Sequence, residues 1–266
     1  MSWRNGALAA SFRPLAEETP IALTYDGATH AVMMGTPGDL EDFAVGFSFS
    51  ENLVDQVSDI ESLDIQESHD GVELRMWLSP ARRRHYARRR LAMAGPTGCG
   101  LCGIESLEQA VPELPRVTRE ARMTPASLLA ALDALARGQA LHRETRSVHA
   151  AALWNCDAGS LMAIREDVGR HNALDKIVGH AHRASLDLEG VAVVMTSRVS
   201  VELVQKTARL GVPILVAISA PTILAVRTAE AAGITLVGVA RGSEFDVFTH
   251  RHRICTQARR SEKEHA

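Results

Sequence analysis

Aromatic residues make up only 4% of the 266-residue chain, too few to suggest the stacking platforms that hold single-stranded nucleic acid. The net charge of -3 provides no global basic field for nucleic acid or an anionic membrane. No run of ~18 apolar residues occurs, so no membrane span is expected. Met1 to Ala10 lacks the apolar core of a secretory leader. Cysteine is scarce: Cys99, Cys102, Cys156 and Cys255 have no framework spacing, the usage expected of a reducing cytoplasm. Neither Gly-x-Gly-x-x-Gly nor Gly-x-x-x-x-Gly-Lys-Ser/Thr follows a strand pattern, which removes the dinucleotide and P-loop readings. A zinc deaminase would need His-x-Glu and then Pro-Cys-x-x-Cys. Here His149 is followed by Ala150-Ala151, and the cysteine pair comes earlier in the chain.

What is present is an ordinary globular composition, 46% apolar and 23% charged, long enough for one large or two smaller domains with a real core. Its most unusual stretch is Gly-Pro-Thr-Gly-Cys-Gly-Leu-Cys-Gly, Gly95 to Gly103. Four glycines and a proline exclude helix or strand interior and predict a loop. A Cys-x-x-Cys spacing brings Cys99 and Cys102 close, and thiolate is the reactive form. Just upstream, Arg82 to Arg90 supplies six guanidinium groups; taken alone such a run is a solvated face, but beside thiols it lowers their pKa and attracts anions. A closed zinc site would need a second ligand pair, and a thioredoxin-type motif would open a helix after a strand. A transient sulfur carrier, with one cysteine holding a terminal sulfur, accounts for exposure, mobility and basic surroundings together. Cys156 and Cys255 read as inert thiols.

The first ~90 residues predict a small α+β unit. Residues 1–19 show no period. Ile21 to Tyr25 and Ala28 to Met34 form a hairpin about Asp26-Gly27. Thr36-Pro37 is expected to cap a helix whose Leu40, Phe43, Ala44 and Phe47 share a face. Val72, Leu74, Met76 and Leu78 alternate as a half-buried strand. From Thr124 the pattern changes to helices alternating with apolar strands. Thr124-Pro125 caps a helix ended by Gly138, and Ser147–Trp154 and Ser160–Arg165 are strands joined by a turn. Asn172 opens a helix, followed by strand Gly190–Thr196, helix Ser200–Leu210, strand Ile214–Ile218, helix Pro221–Ala232 and strand Ile234–Ala240. This predicts a mainly parallel three-layer α/β/α sheet. The expected divisions are 1–94 for the small domain, 95–123 for the cysteine loop and connector, 124–260 for the α/β/α domain, and a disordered tail at 261–266.

In open α/β sheets ligands bind beyond the carboxyl ends of strands, and unusual polar residues follow each predicted strand. They are Glu166-Asp167-Val168-Gly169-Arg170-His171-Asn172, Ser197-Arg198-Val199-Ser200, Ser219-Ala220-Pro221-Thr222 and Arg241-Gly242-Ser243-Glu244. Arginines, small hydroxyls and glycines at helix N-termini suit phosphates. A purine could be read by Asp167 or Asn172, although Asp167 also suits a helix cap. Four such clusters point to a nucleotide-bearing ligand.

These residues also resemble a known family, the formate dehydrogenase accessory sulfurtransferases (FdhD family). The matching stretches begin at Thr36 (Thr-Pro-Gly-Asp-Leu-Glu-Asp-Phe-Ala-Val-Gly-Phe), Cys99 (Cys-Gly-Leu-Cys-Gly), Arg165 (Arg-Glu-Asp-Val-Gly-Arg-His-Asn-Ala-Leu-Asp-Lys), Ser197 (Ser-Arg-Val-Ser-Val-Glu-Leu-Val-Gln-Lys), Ser219 (Ser-Ala-Pro-Thr) and Gly238 (Gly-Val-Ala-Arg-Gly). The resemblance implies a cytidine-deaminase-like α/β/α carboxyl-terminal domain without the deaminase zinc. It further implies a sulfurtransferase that accepts a persulfide on Cys99, with Cys102 assisting, from a cysteine desulfurase. The sulfur would pass to molybdenum or tungsten in bis-molybdopterin guanine dinucleotide, destined for formate dehydrogenase. Gly238, Val239, Ala240, Arg241, Gly242 and Ser243 would contact that cofactor. Gly169, Arg170, His171, Ser197, Arg198 and Ser219 are further candidates, and a guanine nucleotide such as GDP could occupy the same place. A chaperone that delivers the cofactor without sulfur chemistry is the alternative, and a homodimer is left open.

Overall fold

The computed structural model describes residues 2–4, 6–10, 12–92 and 114–255. Cys99 and Cys102, the glycine-rich segment around them and the charged tail 261–266 lie outside the described residues. Where the first residues showed no period, β1 (Ser2–Arg4) and β2 (Ala7–Ala9) pair as a short antiparallel ribbon. A four-stranded sheet follows, built from β3 (Thr19–Tyr25), β4 (Ala28–Gly35), β5 (Ile60–Ser68) and β6 (Gly71–Leu78) in the order β4-β3-β6-β5. Asp26 and Gly27 both have positive φ, 48° and 77°, the turn that matches the twist of a two-residue hairpin. Helix α1 (Leu40–Ser50) covers this sheet, with Phe43, Ala44 and Phe47 packed on Ile21, Leu23, Leu74 and Met76.

One expectation changes here. The cap of α1 is not Thr36 but Asp39, in a left-handed conformation and without a side-chain cap bond. Thr36 is held elsewhere, as described below. The arginine run is helical, forming α2 (Pro80–Ala92). Its first residues are structural: Arg82 pairs with Asp55 and Asp59, Arg83 with Asp26. Tyr86 is buried against Tyr25 and His30.

The second sheet has six strands. Helices α3 (Pro125–Gly138) and α4 (Ala140–Thr145) precede β7 (His149–Asn155) and β8 (Ser160–Asp167). Then come α5 (Arg170–Arg183), β9 (Val191–Met195), α6 (Val201–Leu210), β10 (Ile214–Ala217), α7 (Ile223–Ala232), β11 (Thr235–Arg241) and β12 (Glu244–Val247). Thr124 caps α3 by accepting from the Ser127 amide at 3.1 Å. Gly211 and Gly233 end α6 and α7 in the left-handed region that glycine adopts without strain. The order is β12-β11-β10-β9-β7-β8. One face packs on α5, α6 and α7 through Val191, Val193, Met195 and Leu215; the other packs on α3 through Ala192, Val194, Ile214 and Val216. This period-2 split of a continuous apolar run makes the three layers.

The sheet is mixed rather than mainly parallel. β9, β10 and β11 are parallel, but β7 is antiparallel to both β8 and β9, and β12 to β11. The short turn after β7 can only join antiparallel strands. Once β8 runs with β9, β7 between them must run against both.

The two sheets are joined where α1 crosses α5. Gly46 and Gly179 meet there so closely that a Cβ on Gly46 would lie 1.7 Å from the Asp175 carbonyl oxygen, and one on Gly179 would lie 1.8 Å from that of Asp42. Phe49 stacks on His182 at 3.6 Å beside the crossing. Buried Asp42 of α1 takes Arg165 from β8 and Arg183 from α5. The equally buried Asp175 accepts both its bonds from Lys206 Nζ at 2.7 and 2.8 Å. Among the described residues no helix is long and apolar enough to cross a membrane.

Candidate functional site

Because β8, β9, β10 and β11 run in one direction, their carboxyl ends share an edge, and the reversal of β7 brings its amino end, His149, to the same edge. The four polar clusters therefore lie along one rim, in the place where α/β sheets bind ligands.

At the β8 end the side chains turn inward. Asp167 and Lys176 are both 0% exposed and pair at 2.7 Å. Asp167 also accepts from the amides of Thr36 (3.0 Å) and Gly169 (2.8 Å) and from Asn172 Nδ2 (3.0 Å). Asn172 Nδ2 reaches the Met34 carbonyl as well, and Lys176 Nζ the Thr36 carbonyl. All four acceptor positions of Asp167 are thus taken by the protein. Asp167 and Asn172 hold the loop and the segment after β4; they do not face a ligand as base readers would. Ser197 is likewise buried, donating to the Arg198 carbonyl at 2.9 Å.

The residues that reach the surface are others. Gly169 is the N-cap of α5 and supplies no side-chain cap, so that helix N-terminus keeps orphan N–H groups at this rim, whereas the first turn of α6 holds the Glu202 carboxylate, which accepts from its own amide and from Ser200. Arg170 starts α5, and its Nε is buried without a hydrogen-bond partner. His171 Nε2 lies 3.4 Å from Ser200 Oγ. Burial, reinforced by Arg170 and Lys206, holds its imidazole down at about 4, so the ring is neutral near pH 7. A folded pKa below the unfolded value contributes stability that is complete above about 6.5 and is lost as pH falls toward about 4. We expect the His171 ring signals to stay fixed in an NMR titration from about pH 8 to about pH 5, and His171→Gln to flatten the acid side of the stability curve. A midpoint at the ordinary histidine value would contradict this environment.

The β11 end is strained. Val239 has φ of 53°, rare for any residue with a side chain and more so for a β-branched one. It sits in the irregular stretch between Gly238 and Arg241. A Cβ on Gly238 would come within 2.9 Å of Pro221 and 3.0 Å of the Ser219 carbonyl, and the Val239 amide donates to that carbonyl at 3.2 Å. Ala240 is buried, whereas Arg241, Gly242 and Ser243 are exposed. Backbone strain of this kind persists where the surroundings over-determine it, commonly at ligand sites.

Between these two ends a cleft of about 460 Å³ opens beside Thr196 and Ile218, which directly precede Ser197 and Ser219. Its other walls come from Gln139, His142, Arg146, Ser147, Val148 and His149, none of which the strand-end argument selected. They run from Gln139, the residue before α4, to His149, the first residue of β7, and only the reversal of β7 brings them to this rim. Away from the rim, burial pushes the Cys156 thiol up to about 12, consistent with an inert thiol.

The FdhD/NarQ family model matches residues 16–255. The chain belongs to the FdhD/NarQ family. Its relatives in that family include a sulfur carrier protein FdhD of Agrobacterium fabrum, 49% identical over 94% of this chain and 93% of its own. Another sulfur carrier protein FdhD, of Cupriavidus necator, is 45% identical over 96% and 88%. The fold is similar to the crystal structure of a protein assigned as a formate dehydrogenase accessory protein from Desulfotalea psychrophila. That match has a TM-score of 0.72 and 26% identity over 96% of each chain. The family resemblance placed cofactor contacts at Gly238 to Ser243, which is the strained strand end described above; Cys99 and Cys102 lie outside the described residues.

Proposed function

We propose that this protein is a sulfur carrier that accepts sulfur from a cysteine desulfurase and delivers it to a guanine-dinucleotide molybdenum or tungsten cofactor destined for a formate dehydrogenase. The observation that carries the reading is 49% identity, over nearly the whole of both chains, to a protein named as a sulfur carrier. In the loading step the Cys99 thiolate attacks the terminal sulfur of the desulfurase persulfide. The new S–S bond forms on Cys99 as the desulfurase thiolate leaves. A persulfide is more acidic than a thiol, so the loaded sulfur is anionic and nucleophilic at neutral pH.

The rim residues suit the cofactor as the substrate of this transfer. Exposed Arg198 and Arg241 and the uncapped N-terminus of α5 favour phosphate. Asp167, Asn172 and Lys176 act as positioning residues for the loop that presents Arg170 and His171. The exposed Arg84 and Arg88 of α2 lie on the helix that leads in sequence to the cysteine pair, and they favour an anionic partner.

Intact-protein mass spectrometry after incubation with a cysteine desulfurase and cysteine tests the reading. We expect a gain of one sulfur atom, lost on reduction and mapped by peptide analysis to the segment holding Cys99 and Cys102. A protein that gains no sulfur yet binds GDP would instead be a cofactor chaperone.

A further inference from the structure

The cleft before β7 is one-sided in its chemistry. Gln139 and Arg146 bring N–H groups to it beside the imidazoles of His142 and His149, and no carboxylate is among its lining residues. Gln139 is only 6% exposed, and its Nε2 has no hydrogen-bond partner. A buried donor left unmet is costly enough that most such groups in native proteins have an acceptor. Arg170 Nε, also a buried donor without a hydrogen-bond partner, belongs to a guanidinium close enough to disfavour protonation of both His149 and His171. The His142 Nδ1–H donates to the Val148 carbonyl at 3.1 Å, which fixes that ring. Glu166, whose carboxylate reaches α4 from β8, is already accepting from the Leu141 and His142 amides, and Glu144 of α4 is exposed and is not among the lining residues. Donors without acceptors, a nearby guanidinium and no lining acid together describe a place for an anion.

We propose that this cleft is an anion subsite that takes the phosphate-bearing part of a nucleotide ligand. The inference rests on the guanine-dinucleotide reading above and deepens it. The strained end of β11 and the cleft are separated by three strand spacings, ~14 Å across the sheet. The β10 end bridges them, Ser219 touching the Gly238 loop and Ile218 lining the cleft. A ligand seated on Gly238 to Ser243 therefore extends along the rim and places its phosphates against Gln139, Arg146 and His149. The planar guanidinium of Arg146 offers paired donors to a phosphate, and the Gln139 amide supplies the one that is now unmet.

The test titrates the full chain with inorganic pyrophosphate, with GDP and with guanosine, following the histidine ring signals by NMR. Pyrophosphate and GDP are expected to shift His149 and His142 saturably; guanosine is not. Affinity for both phosphate probes should fall on the order of tenfold in Arg146→Ser and in Gln139→Leu. Because Gln139 is buried, its variant is first checked by circular dichroism; if it misfolds, exposed Arg146 decides alone. Ring signals unmoved by pyrophosphate, or affinities unchanged in the variants, would overturn the subsite. GDP binding no tighter than pyrophosphate would overturn the nucleotide part and leave an inorganic anion site. Sulfur loading of Cys99 is read separately, so its failure with pyrophosphate binding intact counts against the carrier and not the cleft.

Discussion

Gly46→Ala is expected to lower the free energy of unfolding by ~3 kcal/mol or more. The added methyl would lie 1.7 Å from the Asp175 carbonyl oxygen and 2.6 Å from the Gly179 nitrogen. Both are backbone atoms of a helix and cannot swing aside as a side chain could. Alanine should gain ~1 kcal/mol from helix propensity at this position, which is too little to offset the overlap. The helices must separate, and the separation strains everything seated at the crossing: the Phe49–His182 stack and the pairs of Asp42 with Arg165 and Arg183. Gly179→Ala should behave alike, since its methyl would meet the Asp42 carbonyl at 1.8 Å. The double variant should cost less than the sum, because helices already parted for one methyl have room for the second. Urea unfolding followed by circular dichroism reads all three. A loss below ~1 kcal/mol in both single variants would mean that α1 and α5 do not meet through these glycines.

This crossing explains part of what was legible in the chain and what was not. The strands β9, β10 and β11 were readable because a sheet covered on both faces demands an uninterrupted apolar run. Gly211 and Gly233 were readable because a left-handed helix end leaves few alternatives to glycine. By contrast, Gly46 and Gly179 look like ordinary helix interruptions, since their reason is a contact 133 residues away along the chain. β5 was missed because its register shifts between Ile60 and Ser62, which breaks the alternation by which strands are recognised. Thr36 reads as a helix cap on local grounds, yet its amide, hydroxyl and carbonyl are all engaged by β8, the loop after it or α5. At the rim, strand-end reasoning found the loops on parallel strands and missed Gln139, His142, Arg146 and His149. It considered only residues that follow strands, whereas these four precede β7 or begin it. The signal was there in the short turn between β7 and β8, residues 156–159, which forces them antiparallel and so sends the start of β7 to the carboxyl edge of β8.

Lys176→Met is expected to cost ~3–5 kcal/mol at neutral pH, the range for removing one partner of a buried ion pair. Methionine fills much of the volume, so the loss is electrostatic more than steric. Asp167, 0% exposed, would keep three N–H donors, from Thr36, Gly169 and Asn172, but no counter-charge. Asp167→Asn in the Lys176→Met background removes the stranded charge and should recover part of the loss, a coupling that a double-mutant cycle measures. No recovery in the double variant would assign Lys176 to packing alone. The same pair ties the segment after β4 to the loop presenting Arg170 and His171. Partial destabilisation should therefore weaken GDP binding at the rim while Cys99, which lies outside this network in sequence, still accepts sulfur. That split between binding and loading separates a positioning role for Asp167 and Lys176 from a general loss of fold, which would lower both together.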